Sequence, residues 1–405
     1  MADSAFREQN TTTNDHIYTL EQIFGAALAL GYPVAVWQLP ETTTVQACIS
    51  FDAVFQVDEP NLEVSPFGFL FCPFIPGTDQ PNLFIKADVV YTATTRELEF
   101  ATHVSVATKE TFTRFLQQYE EQKPKNWYVS AAISISPAQP EINYKTAVAA
   151  AITAIQQEQM EKVVLSRSKL EELPASFNPL AAFKSMLPSY PRAFVSLVSV
   201  PGAGTWLGAS PEILVSIDRQ QIFRTVALAG TQPANDETNL ANAIWRQKEI
   251  EEQGMVERYI LSCFKKLRLR EYSEVGPRTV VAGNLMHLRT DFKVDLNEVD
   301  FPTLGTDMLH LLHPTSAICG LPKEPALKFI SEHEGYNRSY YSGFLGPVNS
   351  TTGTHIYVNL RCMQLLSDKA ILYAGAGITA DSVPEKEYQE TQYKMLTMRK
   401  ILSDF

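Results

Sequence analysis

Four strand-length runs follow one another in the middle of this chain, at 193–200, 205–207, 213–217 and 221–227, separated by only a few residues each. They are rich in Val, Ile, Phe and Thr, the residues that suit a pleated, buried surface. Similar runs stand at 34–38, 47–51, 69–71 and 83–87, with turns of Pro, Thr and Asp between them. Helix-like stretches are few: 20–30, an amphipathic 143–159 that precedes a short buried strand, KVVL at 162–165, and a long 239–270. Strand runs broken by occasional helices predict an α+β fold and argue against a doubly wound sheet.

Charge narrows the class of protein. The formal net charge is −11 over 405 residues, which excludes the basic footprint that a nucleic-acid or anionic-membrane surface needs. No apolar run approaches the length of a bilayer span. The N-terminus is polar and of mixed charge, unlike a secretory signal. Cys48, Cys72, Cys263, Cys319 and Cys362 are odd in number and form no CxxC pair, as expected of reduced thiols in a cytoplasmic protein.

The closing stretch, 372–394, carries the densest chemistry. An apolar strand at 370–373 leads to Gly375 and Gly377, where missing side chains allow backbone N–H groups to approach an anion. Ser382 precedes Glu385 by three residues, the spacing of a capping box, with Pro384 in the first turn. On the helix that follows, Glu387, Glu390, Lys394, Met398 and Ile401 share one face. The 239–270 helix repeats the device: Glu249 and Glu252 extend the stripe of Val256, Ile260, Cys263 and Leu267, while Glu251 and Glu257 point elsewhere. Paired carboxylates on two apolar faces call for a cation, and oxygen donors without His or Cys favour a hard ion such as Mg2+. Salt-bridged helix surfaces are the bland reading of either pair alone.

Other positions stand out singly. Gly230 and Thr231 end the strand 225–229 and offer a backbone cradle for an anion, although a plain turn is the commoner outcome. Glu212 follows a Ser-Pro turn and opens an apolar strand, so partial desolvation would suit it to general-acid duty. Lys162, at the mouth of the KVVL strand, could act as a base if burial favours its neutral form. Arg361 interrupts an otherwise apolar strand and needs an anionic partner. The chain has no GxxxxGK[ST], GxSxG or HExxH motif.

The ordered motifs GASPEILV, ALAGT, LHPTSAICGLP, ExxxR followed by YYSG, VNLRC and AGAGIxxxSxPExEYxETxxK resemble the chorismate-utilising enzymes from about residue 143 to the C-terminus. That resemblance implies one large α+β domain, with a β-sandwich-like core of mostly antiparallel sheets and helices packed outside. Along the chain it divides into a loose tail (1–15), an N-terminal part of the fold (16–135) and the chorismate-binding catalytic region (136–405). A charged segment at 120–125 and the run 134–140 mark the seam. The resemblance also implies a small-molecule substrate, chorismate, a Mg2+ cofactor and a monomer.

Residue by residue, the resemblance makes Glu252 and Glu390 Mg2+ ligands, with Glu249 and Glu387 holding metal-bound waters. The backbone at Gly230 and Thr231, with Lys394, would help hold the ring carboxylate, and Gly375 is a further substrate-binding residue. Arg361, Tyr341 and the backbone at Gly377 would hold the enolpyruvyl carboxylate, with His287 lining the pocket near the ring. Glu212 becomes the general acid for the C4 hydroxyl and Lys162 the base that activates water. Lys162 is typical of water-adding members, and Ala227 and Ala317 stand where salicylate-forming members tend to have Pro and Thr. Formation of isochorismate is therefore expected. Gln253, the run from Gln232 to Ala234, and Ser339 depart from the family pattern and place second-layer hydrogen bonding in question.

Overall fold

The structure is a computed structural model that describes residues 17–52, 55–119, 127–130, 140–234, 243–282 and 285–405. The tail expected over 1–15 and the charged segment at 120–125 lie outside these residues, as does all but the last residue of the run 134–140.

Two large antiparallel sheets form the centre. One runs, from edge to edge, through Gly320–Leu321, Lys162–Glu172, Lys369–Ile378, Cys362–Leu365, Gly204–Ser210, Phe194–Val200, Val34–Gln38, Val45–Ile49, Val89–Thr92 and Glu97–Phe100. The other runs through Ser273–Ala282, Leu285–Asp295, Ile222–Pro233, Ile213–Asp218, Gly353–Val358, Phe344–Val348, Gly68–Cys72, Leu83–Lys86 and Phe55–Gln56. Strands from the first hundred residues complete both sheets; Val34–Gln38, for example, pairs along its whole length with residues 195–199.

Alternation along the strands explains why they read as continuous apolar runs. Ala35 and Trp37 face a core that lies between the sheets, with Phe69, Phe71, Phe194 and Tyr357, whereas Val34 and Val36 turn to the other face, with Ile23, Phe24 and Phe183. Side chains of period two therefore meet protein on both faces, unlike those of a sheet with one wet side. The outer faces are covered by helices. Leu20–Ala29, Pro179–Ser189 and Pro384–Ser403 share a core with the first sheet. Glu141–Gln156, Gln247–Lys266, Leu304–Leu312 and Lys323–His333 belong to the third core. Burying one large side chain in such a core is worth about 1.5–3 kcal/mol, and Trp37, Trp206, Phe69 and Phe194 are all fully buried between the sheets.

Several boundaries differ from the sequence expectation. The KVVL strand continues to Glu172, because Lys369–Ile378 pairs with it throughout. That partner in turn runs straight through Gly375 and Gly377, which are ladder residues opposite Ser166 and Val164 instead of a turn. The long helix begins at Gln247 and ends at Lys266, shorter than 239–270, of which 239–242 lie outside the described residues. Among the described residues, no helix is long and apolar enough to cross a membrane.

Candidate active site

The chain passes from one sheet to the other at two neighbouring places, and each crossing delivers a functional side chain. Gly204–Ser210 leaves the first sheet and Ile213–Asp218 enters the second, with Pro211 and Glu212 between them. Gly353–Val358 makes the reverse passage to Cys362–Leu365 by way of Asn359 to Arg361. Arg361 is thus no strand residue, as the sequence suggested, but a left-handed one with φ of +48°. The crossings brace each other, since Val358 N–H donates to Glu212 O at 3.0 Å and Ala209 N–H donates to Arg361 O at 3.1 Å.

A cleft opens there, with about 700 Å³ of free space including its mouth. Of the residues singled out from sequence, Glu212, Gly230, Thr231, Glu252, His287, Ala317, Tyr341, Arg361, Gly375 and Lys394 line it. Val164, Leu228, Ile318, Leu360 and Tyr373 supply apolar wall that the sequence reading missed. These residues carry no chemistry of their own, only a place in the fold. Gly230 has a φ of +63° and sits with Thr231 in a bulge of the Ile222–Pro233 strand, where the register against Leu285–Asp295 shifts. A Cβ there would lie 3.1 Å from the Cβ of Glu249, so glycine also permits the close approach of the Gln247–Lys266 helix.

Electrostatics differ sharply between the two sides of the cleft. Burial pushes the Glu212 carboxyl up to about 7, even against the pull of Lys162, Lys394 and Arg361. Burial, reinforced by Arg361, pushes His287 down to about 3, so its ring is neutral. The His287 Nδ1–H donates to Gly230 O at 2.9 Å, which leaves Nε2 as a bare acceptor, buried and without a partner among the described residues. The Arg361 guanidinium has no hydrogen-bond or ion-pair partner among the described residues, and burial lowers its proton affinity despite Tyr341 and Glu390 nearby. A free guanidinium and a free acceptor facing one cleft suit an anionic ligand that also carries a hydroxyl.

Of the paired carboxylates only Glu252 lines the cleft; Glu249, Glu387 and Glu390, like Lys162 and Gly377, are not among its lining residues, and each carboxylate is tied to a protein group. Lys162 is fully buried, with Nζ 2.8 Å from Glu252 Oε1. Lys248 Nζ lies 2.6 Å from Glu387 Oε1, and Lys394 Nζ lies 2.7 Å from Glu390 Oε1 and donates to Gly375 O at 2.8 Å. Glu249 accepts the Arg246 N–H at 2.9 Å and so caps its own helix. Three of the four paired carboxylates thus meet a lysine. Burial is the largest influence on the Glu252 carboxyl and raises it, but Lys162, Lys394 and Lys248 together hold the group below the usual carboxylate range. Glu387, by contrast, stays raised by burial and by Glu390 despite its lysine.

Gly377 explains how two of these groups meet. A Cβ at this position would lie 2.7 Å from Glu252 Oε1 and 2.9 Å from Lys162 Cε. The missing side chain makes room for the ion pair; it does not bare a turn. Two further expectations change in the same way. Ser382 does not cap the final helix, whose N-cap is Val383 without a side-chain bond; its hydroxyl accepts from Thr379 N–H at 3.1 Å, while Glu385 pairs with Lys145 at the surface. Glu257, off the apolar stripe, is nonetheless bonded within the protein: it accepts from Gln253 and Thr290. Lys248 was missed, although its place four residues before Glu252 put it on the same helix face.

Gln253, a departure from the family pattern, is buried and fully used. It accepts from Ala229 N–H at 3.0 Å and donates to Ala227 O at 3.3 Å and to Thr290 Oγ1 at 3.1 Å. It thereby fastens the Gln247–Lys266 helix to the strand that carries Gly230. The loop that holds Ala317 is fastened from the other side by Arg338, which donates to Ile318 O and Val164 O, both at 2.7 Å.

Among the described residues, no three His, Cys, Asp or Glu side chains converge into a ready metal cage. The chemistry of the donor set nonetheless fits a hard divalent ion: Glu249, Glu252, Glu387 and Glu390 offer carboxylate oxygens only, and three of them already pair with an ammonium.

Comparison with known proteins agrees with this geometry. The sequence profile described as chorismate binding enzyme matches residues 43–403. The isochorismate synthase EntC of Escherichia coli (strain K12) is 28% identical over 299 residues, covering 71% of this chain and 75% of its own. A putative isochorismate synthase of Aeromonas hydrophila is 30% identical over 287 residues, covering 67% of this chain and 69% of its own. The solved structure of MenF, the menaquinone-specific isochorismate synthase from Escherichia coli, superimposes with a TM-score of 0.74 at 21% identity, covering 93% of this chain and 91% of that one.

Proposed function

The chain belongs to the chorismate binding enzymes, and from that premise we propose that it is an isochorismate synthase that adds water to C2 of chorismate as the C4 hydroxyl departs. The observation that carries the reading is the proton-holding Glu212. With its carboxyl pushed up to about 7, it retains a proton near neutrality and can deliver it to a leaving hydroxyl. Lys162, buried next to the cleft-lining Glu252 with Nζ 2.8 Å from its Oε1, first passes its ammonium proton to that carboxylate, and the neutral amine then takes a proton from the attacking water. One hydroxyl enters at C2, the ring double bonds shift, and the other leaves C4 as water after protonation. Each proton transfer contributes about 10²–10⁴-fold.

Substrate placement uses groups that line the cleft. Arg361 and Tyr341 receive the enolpyruvyl carboxylate. Thr231, the backbone at Gly230, Gly375 and Lys394 receive the ring carboxylate, and His287 Nε2 accepts a hydroxyl proton. Glu252 and Glu390 would hold Mg2+, with Glu249 and Glu387 bound to its waters. The ion supplies positive charge for the ring carboxylate and neutralises the paired carboxylates. Ala317 and Ala227, small and apolar, support arrest at isochorismate over elimination of pyruvate.

The test is incubation of purified protein with chorismate and Mg2+, followed by chromatography of the products. Enzyme-dependent isochorismate is expected, and the reverse reaction from isochorismate should proceed as well. Salicylate and pyruvate as the accumulating products would replace this reading with that of a lyase; retention of unreacted chorismate would leave a binding protein.

A further inference from the structure

The three lysines paired with these carboxylates are not equivalent, and the difference concerns how a cation would enter. Lys162 has no exposed side-chain surface, and Lys394 is 19% exposed and shared between Glu390 and Gly375 O. Lys248 is 31% exposed, yet its Nζ reaches inward to Glu387, which is only 2% exposed. It stands in the first turn of the Gln247–Lys266 helix, where the helix dipole disfavours positive charge. What holds it there is carboxylate charge: Glu387 first, with Glu390 and Glu252 beyond. A buried carboxylate such as Glu387 cannot be left without a counter-charge. An ammonium that is partly exposed, poorly served by its own helix and paired with Glu387 alone is the one of the three most easily given up when another cation supplies that charge.

Resting on the metal reading above, we infer that Lys248 is a resident counterion of the metal site: it neutralises Glu387 in the metal-free protein, withdraws to solvent when a divalent cation binds, and so sets the cation affinity. It is a positioning residue. Nothing in its place assigns it contact with the substrate.

Lys248→Met removes the competing charge, and Lys248→Gln keeps a donor for Glu387 should the first variant fail to fold. Calorimetric titration with Mg2+, without substrate, should give an affinity about tenfold tighter or more than that of the unaltered protein, equivalent to about 1.4 kcal/mol. In EDTA the variant should melt at a lower temperature than the unaltered protein, and Mg2+ should raise its melting temperature by more. If the unaltered protein binds Mg2+ and both variants bind it equally or more weakly, Lys248 supports the site and does not compete for it, and the inference fails while the metal reading stands. If no protein binds Mg2+, with or without chorismate, the metal reading fails and takes this inference with it.

Discussion

Lys162 Nζ and Glu252 Oε1 meet at 2.8 Å across the bare backbone of Gly377. A strand, a helix and a second strand converge on that contact, and each supplies something the others cannot. The ammonium is buried and needs a counter-charge; the carboxylate reaches it from the helix; the glycine leaves the space.

Gly377→Ala tests this convergence. The added methyl overlaps Glu252 Oε1 and Lys162 Cε, so the pair must separate or tilt. Turnover of chorismate should fall about 10²-fold, as expected when reacting groups are displaced by about an ångström. The cost in stability should be about 1–3 kcal/mol, the range for overpacking. Steady-state rates and urea unfolding measure the two effects, and near-normal turnover would remove Gly377 from the site.

Much of this was readable beforehand because helix and strand periods are local. The stripe that joins Glu252 to Val256 and Ile260 needs only a spacing of 3.6, and the runs of the central sheets need only apolar β-formers. The crossings were not readable. Nothing in VNLRC says that the backbone changes sheets between Val358 and Cys362, so Arg361 read as a strand residue. Gly375 and Gly377 likewise read as a turn, because the reason for a missing side chain lay on the opposite strand and helix. Lys248 was legible by its spacing and went unread, since a surface lysine is the ordinary outcome for that residue type. Its partner Glu387 lies 139 residues away.

His287 gives a spectroscopic prediction. Burial and Arg361 hold its pKa near 3, well below the ordinary value of 6.5. The unfolded chain takes up a proton as pH falls through 6.5 while the native ring does not, so this residue's contribution to stability is complete above 6.5 and is lost toward 3. In the native protein, nitrogen NMR of the His287 ring should report the neutral Nδ1–H form without change from pH 5 to pH 8. An imidazolium appearing in that interval would contradict the assignment of Nε2 as a free acceptor.

Arg338 and Glu334 form a buried ion pair, 2.6 Å from Nε to Oε2, with Phe74 beneath the guanidinium. Arg338→Met leaves Glu334 charged and buried and also frees Ile318 O and Val164 O. The expected loss is about 3–5 kcal/mol, measured by denaturant unfolding. Glu334→Gln added to it should recover part of that loss, because the uncompensated charge is then gone. An additive double variant would mean that the two residues act independently.

Glu212 joins catalysis to stability with opposite signs. Its folded pKa, about 7, lies above the ordinary 4.5, so the native state holds the proton more tightly than the unfolded chain. Below about 4.5 both states are protonated and no penalty exists. Between 4.5 and 7 the penalty grows, and above 7 it is complete, at about 3 kcal/mol by linkage. Glu212→Gln removes a group that must ionise in an apolar setting, so the variant should be the more stable protein at pH 8, by up to about 3 kcal/mol, and equal at pH 4.5. The same substitution removes the proposed proton donor, and turnover should fall by about 10²–10⁴-fold. In the unaltered enzyme, kcat/KM should decline above about pH 7 as Glu212 ionises, and denaturant unfolding at the two pH values gives the stability half of the comparison. Retained turnover in the glutamine variant would move the acid role elsewhere, whereas equal stability at pH 8 would mean that the carboxylate is better solvated than its burial implies.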